Sequence, residues 1–133
     1  EYALFDLRLH AEPEPPDRAR VQGIVDEVRA AVSILPVPEF NRFQCSFAHI
    51  FGGGYAAGYY SYKWAEVLSA DAFGAFEEAG LENPAAVVET GRRFRQTVLA
   101  LGGSQSPMEV FKAFRGRKPE VAALLRHCGL SGG

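Results

Sequence analysis

Proline and glycine divide this chain of 133 residues into short segments whose apolar side chains recur every three or four positions. The clearest segment, residues 17–35, begins at Asp17, a candidate helix N-cap, and ends before Pro36. Its apolar residues share one face of an α-helix: Val21, Ile24, Val25, Val28, Ala31 and Val32. No stretch sustains the alternation of apolar and polar residues that marks a strand. The sequence therefore predicts an all-α fold, arranged like a helical bundle.

Similar signals predict the other helices, at residues 2–10, 55–78, 84–101, 107–114 and 119–128. Gly80 is a natural end for the longest of them, and Asn83 and Ser106 are caps followed by proline at the first helical position. The proline-rich residues 12–16 are predicted to form a loop, and residues 39–48 a loop or a short helical turn. Residues 131–133 are expected to be disordered.

The composition allows one compact core. Hydrophobic residues make up 47% of the chain and no low-complexity linker divides it, so residues 1–133 are predicted to form a single domain. The net charge of -2 and the pI near 5.9 provide no basic field for nucleic acid or an anionic membrane. We therefore expect neither partner.

The sequence also predicts a compartment. No apolar run reaches the length of a membrane span, and the first residues lack the basic and apolar regions of a signal peptide, so the chain is expected to be soluble and cytoplasmic. Cys45 and Cys128 are far apart and form no Cys-x-x-Cys motif. They are predicted to be reduced, buried thiols.

Several charged residues lie beside apolar positions of the predicted helices. Asp6 and Arg8 would be exposed unless they are paired. Glu66 and Asp71 have apolar neighbours, and either carboxylate, if buried, needs a cationic or hydrogen-bonding partner. The arginines elsewhere in the chain are candidates, among which the sequence does not choose.

Residues 49–64 are the most unusual stretch. His49 is followed closely by three consecutive glycines, Gly52, Gly53 and Gly54, which favour a backbone that is unusual, mobile or close to another group. Tyrosines then occur at three positions with the spacing i, i+4 and i+7, so that a helix would place all three phenols on one stripe: Tyr55, Tyr59 and Tyr62. The combination indicates a site.

The chain contains no complete catalytic set. It has only three histidines and lacks H-E-x-x-H, a cysteine cluster, G-x-S-x-G and a phosphate-binding loop. A tyrosine hydroxyl and a histidine N–H can, however, donate to a carbonyl oxygen and hold it more strongly as it becomes an oxyanion. Such donors assist a metal-bound water. In the alternative interpretation the aromatic residues are core, and the chain is a helical module that binds peptides or acts as a scaffold without catalysis.

A family resemblance rests on residues 49–66, HIFGGGYAAGYYSYKWAE. This stretch closely resembles the glycine-tyrosine segment of the thimet oligopeptidase family of zinc peptidases, and most closely that of its bacterial oligopeptidases. FDLRLH at residues 5–10, LGGS at 101–104 and FRGRKP at 114–119 also resemble family segments, in the expected order. The similarity therefore covers nearly the whole chain.

The resemblance implies a mostly helical fold with a deep channel, of which this chain would be the C-terminal part. In the family, the two histidines of H-E-x-x-H and a later glutamate bind zinc, and the glutamate of the motif is the general base. All of these would precede Glu1. Zinc is therefore expected in the complete enzyme, whereas this chain alone is expected to bind none and to be inactive.

The resemblance also implies roles for individual residues. His49 and Tyr62 would donate to the scissile carbonyl and its tetrahedral intermediate, and Tyr59 would contact the substrate near the zinc. Tyr55 would help to bind the peptide backbone, under a mobile loop formed by residues 52–54. Short peptides and the remainder of the polypeptide are the expected partners, and the isolated chain is expected to self-associate through its exposed aromatic face.

Two departures from the family pattern concern the loop. Gly52 stands where the bacterial members commonly have alanine, and the interval from His49 to Tyr55 is one residue longer than in some members. The resemblance leaves two activities open, an endopeptidase and a dipeptidyl carboxypeptidase, which only their cleavage products distinguish.

Overall fold

The computed structural model describes residues 1–130, in which the regular elements are helical. They are α1 (Tyr2–His10), α2 (Arg18–Val32), a 3-10 turn (Phe43–Cys45), α3 (Ala48–Phe51), α4 (Ser61–Ala79), α5 (Pro84–Phe94), a π-helical turn (Arg95–Leu99), α6 (Pro107–Arg115) and α7 (Ala122–His127). The described residues contain no strand, so the predicted all-α fold is confirmed. The predicted disordered tail lies outside them.

The predicted caps are confirmed. The carboxylate of Asp17 accepts from the Arg20 amide at 2.7 Å, and the side chain of Asn83 begins α5 by accepting from a backbone amide at 3.3 Å. Ser106 does the same for α6 at 3.4 Å. Gly80, with a φ of 87°, ends α4 in the left-handed region that glycine favours. Caps of this kind are local, which is why the sequence predicts them.

Several predicted boundaries are wrong. α2 ends at Val32 instead of residue 35, and α7 starts at Ala122, after Pro119. The predicted helix at 84–101 changes at Arg95 into a π-helical turn, in which the Ala100 amide donates to the Arg95 carbonyl at 2.8 Å. The two cysteines are free, as predicted, but exposed instead of buried.

The largest error concerns residues 55–60, which form turns, whereas a helix was predicted from residue 55. Ala57 has a φ of 53°, which no α-helix accommodates. The amides of Ala57 and Tyr59 donate to the carboxylate of Asp6, both at 2.9 Å. In the predicted helix, the Tyr59 amide would instead donate to the carbonyl four residues earlier, and the Ala57 amide, in the first turn, would have no helical acceptor. A long-range acceptor thus replaces the helical hydrogen bond of Tyr59 and satisfies the Ala57 amide.

The chain divides into two compact units, Glu1–Tyr62 and Lys63–Gly133. In the first, α1 and α2 pack around a core whose members are Phe5, Leu9, Ile24, Val25, Val28, Phe47 and Ile50. In the described part of the second, the buried apolar residues are Val67, Ala70, Ala75, Val110, Phe111, Phe114 and Ala123. The single domain stays a prediction.

In the second unit, a buried carboxylate joins α4 to α6 and to the turn after it. Asp71 is 1% exposed and accepts from both terminal nitrogens of Arg117 at 2.7 Å. Arg115 donates to it at 3.1 Å and the Glu120 amide at 2.8 Å. Burial alone would raise the pKa of Asp71, but these hydrogen bonds and the two positive charges outweigh it and hold the pKa below its ordinary value. Arg115 and Arg117 are therefore the cationic partners of Asp71, which the sequence alone did not identify among the arginines.

Two other charged residues singled out in the sequence, Arg8 and Glu66, form exposed ion pairs. Arg8 lies 3.5 Å from Glu27, and Glu66 lies 2.6 Å from Lys63. Surface pairs of this kind contribute little to stability. No helix of the described residues is long and apolar enough to span a membrane.

Candidate active site

Four side chains singled out in the sequence, His49, Tyr55, Tyr59 and Tyr62, lie together in the first unit. The ring centroid of Tyr59 is 5.6 Å from that of His49 and 4.9 Å from that of Tyr62. Tyr55 stacks on Tyr62 with a centroid distance of 5.3 Å and an interplanar angle of 21°, and lies 6.0 Å from His49. Each ring therefore contacts two others, and we refer to the four as the His-Tyr cluster.

The cluster is open to solvent. Tyr55 is 36% exposed and Tyr62 41% exposed, and His49 is also exposed, whereas Tyr59 is half-buried. A core cluster of this size would have its rings covered on all sides. The polar groups of the cluster can therefore be reached by a molecule from outside.

Tyr59 anchors the cluster to the core of its unit. Its ring meets that of Phe47 edge to face, at 4.9 Å and 77°, and Phe47 is 7% exposed. Phe47 in turn contacts Phe5, which is fully buried. Packing thus restricts one side of the cluster while the other side stays accessible.

The glycine loop depends on the absence of side chains at two positions. A Cβ placed on Gly53 would lie 2.9 Å from both the Cα and the carbonyl oxygen of His49, closer than real Cβ atoms approach. Gly54 has a φ of 79°, in the left-handed region. The Tyr55 amide then donates to the His49 carbonyl at 3.1 Å, which closes the loop between the two residues.

Asp6, in α1, holds the turn that carries Tyr59. Its carboxylate is fully buried and accepts from the amides of Ala57 and Tyr59, at 2.9 Å each. The imidazole of His10 lies 2.9 Å from the same carboxylate. The sequence predicted only that Asp6 would be exposed unless paired. Two features of the sequence could have indicated that Asp6 is buried and paired: it lies between the apolar residues Phe5 and Leu7, and His10 follows four residues later.

The phenol of Tyr62 is less acidic than an ordinary tyrosine. A hydrogen bond with the hydroxyl of Tyr55 raises its pKa most, followed by partial burial and by the neighbouring hydroxyls of Tyr55 and Tyr59. A raised pKa means that the phenol keeps its proton over a wider pH range. Tyr62 is therefore a hydrogen-bond donor throughout the neutral range.

Comparison with known proteins identifies the family. The model of peptidase family M3 matches residues 1–130. The chain belongs to this family. The family resemblance inferred from residues 49–66 is thereby confirmed.

The curated relatives of this M3 chain include oligopeptidases and dipeptidyl carboxypeptidases. It is 55% identical over 130 residues to a probable cytosolic oligopeptidase A of Arabidopsis thaliana, covering 98% of the chain and 18% of the relative. It is 50% identical over 132 residues to oligopeptidase A of Escherichia coli strain K12, covering 99% and 19%. It is 39% identical over 134 residues to dipeptidyl carboxypeptidase of the same strain, covering 97% of the chain and 18% of the relative. The chain thus spans about a fifth of the length of these relatives.

The His-Tyr cluster of the M3 chain does not fit a metal ion. Among residues 1–130, no three His, Cys, Asp or Glu side chains are grouped so as to hold one. The ring contacts of His49 are with Phe47, Tyr55 and Tyr59. The raised pKa of Tyr62 also opposes the ionised phenol that a metal would prefer. The cluster is a set of hydrogen-bond donors.

Proposed function

We propose that this chain forms one wall of the active site of a zinc-dependent oligopeptidase that hydrolyses short peptides. The observation that carries the proposal is the His-Tyr cluster, which presents the donors of His49 and Tyr62 on an accessible surface. Membership of peptidase family M3 and the similarity to oligopeptidase A support it. In this proposal the chain works together with a longer polypeptide in the cytoplasm.

The chemistry follows from the donors. The hydroxyl of Tyr62 and the imidazole of His49 both donate to the oxygen of the scissile carbonyl. Both hydrogen bonds strengthen as the oxygen gains negative charge in the tetrahedral intermediate. The raised pKa of Tyr62 keeps its proton available for this role.

Tyr59 and Tyr55 have supporting roles in the proposal. Tyr59 contacts the substrate beside the reacting carbonyl, while its packing on Phe47 keeps the cluster in place. Tyr55, which stacks on Tyr62, binds the peptide backbone. Residues 52–54 close over the bound peptide as a glycine loop.

Zinc enters the proposal only through the remainder of the enzyme. Its ligands would be the histidines of H-E-x-x-H and a glutamate outside this chain, and the ion would supply an activated water. In the proposal, residues of this chain bind and orient the peptide and donate hydrogen bonds to its scissile carbonyl.

The test is a chimera in which this chain replaces the matched 132 residues of Escherichia coli oligopeptidase A. Tyr62→Phe removes one hydroxyl and is expected to lower kcat by about 100-fold or more while KM changes little, because the bond is strongest in the transition state. Tyr60→Phe is the matched control: Tyr60 is 44% exposed and lies in the turn just before α4, but makes no ring contact with the cluster. Equal losses in kcat and KM for Tyr62→Phe, or equal effects of both variants, contradict the proposal.

Whether the enzyme is an endopeptidase or a dipeptidyl carboxypeptidase is decided by its products. The same chimera, given a peptide blocked at its C-terminus, is expected to cleave internally if the endopeptidase assignment holds. Sequential release of dipeptides from free C-termini would instead assign the second activity, which is the one named for a relative at 39% identity.

A second candidate function is a peptide-binding module without catalysis. It is favoured by an apolar cavity of about 780 Å³ in the second unit, whose aromatic lining consists of Phe73, Phe76, Phe94, Phe111 and Phe114. An amphipathic helical peptide matches such a lining. Calorimetric titration of the chain with a peptide of this kind distinguishes the two, since stoichiometric binding together with an inactive chimera would favour the module.

A further inference from the structure

Asp6 is the most constrained carboxylate of the first unit. Its side chain is 0% exposed, and burial of an ionised carboxylate carries a large desolvation cost unless several donors compensate it. Two do so, the amide of Ala57 at Oδ1 and the amide of Tyr59 at Oδ2. Both donors belong to one turn, 51 and 53 residues further along the chain. The imidazole of His10 hydrogen-bonds the backbone carbonyl of Asp6 and lies 2.9 Å from its carboxylate.

The turn held by Asp6 contains a strained residue. Ala57 has a φ of 53°, a conformation that costs of order 1 kcal/mol or more for a residue other than glycine and persists only where the surroundings impose it. The amide of Ala57 is one of the two that Asp6 accepts. The carboxylate therefore holds the backbone at the position where it deviates most from a helix.

The same carboxylate fixes the backbone of Tyr59. The Tyr59 amide donates a hydrogen bond to Oδ2 of Asp6, and the Tyr59 ring contacts both His49 and Tyr62. The carboxylate of Asp6 and the His-Tyr cluster are thus connected through a single residue, Tyr59. A shift of this amide would move the Tyr59 ring, which lies between His49 and Tyr62 and contacts both.

We propose that Asp6 is a positioning residue for peptide hydrolysis, which sets the geometry of the His-Tyr cluster through the amides of Ala57 and Tyr59. The inference rests on the proposed function of the cluster. Asp6 itself does not touch substrate: it is fully buried, and it acts through the turn. The imidazole of His10, which hydrogen-bonds the backbone carbonyl of Asp6, lies 2.9 Å from the same carboxylate.

The first test measures the geometry of the His-Tyr cluster and does not depend on enzymatic activity. In the chain, Asp6→Asn keeps the size of the side chain, but its amide group faces one of the two backbone N–H donors and cannot accept from it. The expected result is loss of the nuclear Overhauser contacts between the rings of Tyr55 and Tyr62, and a fall of the Tyr62 pKa towards the ordinary value. Unchanged ring contacts in a folded Asp6→Asn chain would overturn the inference.

Asp71→Asn is the matched control. Asp71 is also buried and accepts from a backbone amide, that of Glu120, but it belongs to the second unit. It is expected to lower stability and to leave the Tyr55–Tyr62 contacts intact. If both variants lost the contacts equally, the effect of Asp6→Asn would be general destabilisation and the inference would fail.

The second test measures turnover in the Escherichia coli chimera. Asp6→Asn is expected to lower kcat by about 10- to 100-fold with a smaller change in KM, since a displacement of about 1 Å in a catalytic group has effects of this size. In a chain that already carries Tyr62→Phe, the further loss is expected to be about threefold or less, because both changes disable the same donor. Fully multiplicative losses would indicate a structural role and overturn the inference.

The two proposals fail in different ways. If Asp6→Asn disperses the rings but Tyr62→Phe leaves kcat unchanged, the proposed function fails while the control of cluster geometry by Asp6 stands. If Tyr62→Phe abolishes turnover but Asp6→Asn alters neither rings nor kcat, only the positioning role fails. Should Asp6→Asn not fold, hydrogen exchange of the unchanged chain decides, since the amides of Ala57 and Tyr59 must be protected and exchange at the rate of an unstructured chain would contradict the inference.

Discussion

The phenol of Tyr62 stacks on that of Tyr55 at 5.3 Å, although the helix that carries Tyr62 begins only at Ser61. The two residues meet because the intervening turns fold Tyr55 back towards α4. A helix through both residues would have separated their rings by two turns. The contact links the conformation of a loop to the acidity of a side chain on a helix.

The first prediction concerns that acidity. Tyr55→Phe removes the hydroxyl that contributes most to the raised pKa of Tyr62, so the pKa is expected to fall towards the ordinary value of about 10. Because the pKa is raised in the folded chain, the associated stability is present below the unfolded pKa and is lost as the pH rises through the folded one. Titration followed by NMR of ring-labelled tyrosine measures the shift. Tyr60→Phe should leave the Tyr62 titration unchanged.

The second prediction concerns the glycine loop. Gly53→Ala places a methyl group 2.9 Å from backbone atoms of His49, so the loop must move. Overpacking of this kind costs about 1–3 kcal/mol, to be measured by urea denaturation, and the His49 resonances should shift. Gly103→Ala is the control, since a Cβ there has no atom within 4 Å. Similar destabilisation by both variants would show that the close approach to His49 is not the cause.

The third prediction concerns the buried ion pairs of Asp71. Asp71→Asn removes the carboxylate that accepts from both terminal nitrogens of Arg117 and leaves Arg115 with Glu78 as its charge partner. Breaking a buried pair in this way costs about 3–5 kcal/mol. Glu66→Gln, which breaks the exposed pair with Lys63, should cost about 1 kcal/mol or less. Chemical denaturation of the two variants compares them directly. Equal losses would mean that burial of Asp71 does not determine its contribution.

The fourth prediction is the pH dependence of the same carboxylate. Its pKa is lowered in the folded chain, so the stability it provides is present above the unfolded pKa of about 3.9 and is lost as the pH falls through the folded value. Denaturation curves recorded from pH 6 downwards should show this loss in the unchanged chain. In Asp71→Asn the acid-dependent loss should be smaller, and an identical pH profile would refute the assignment.

The fifth prediction is self-association of the isolated chain. Trp64 is 57% exposed and Phe73 46% exposed on α4, and apolar surface of this kind favours contact with a second copy. Sedimentation velocity over a range of concentrations is expected to show an increasing average mass. Replacing both residues by serine should reduce it, whereas Val88→Ser, at a position that is 60% exposed on α5, should not. A monomer at all concentrations would contradict the prediction.

Much of the fold could be predicted because its signals are local. Asp17, Asn83 and Ser106 each accept from an amide three residues further on, and Gly80 takes the left-handed conformation at the end of α4. Interactions over three or four residues can be read directly from spacing. The cysteines show the limit: Phe43 and Phe47 pack at the core and leave Cys45 exposed between them, which composition does not reveal.

By itself, the sequence determined the helical class of the chain and the chemistry of its donors, an imidazole and three phenols beside a glycine loop. Only the tertiary structure decided how these donors meet. Tyr55 and Tyr59 lie near His49 and Tyr62 because a carboxylate 53 residues before Tyr59 takes a backbone hydrogen bond that a helix would otherwise use. Local propensity cannot anticipate such an acceptor, since its position depends on how α1 packs in the core.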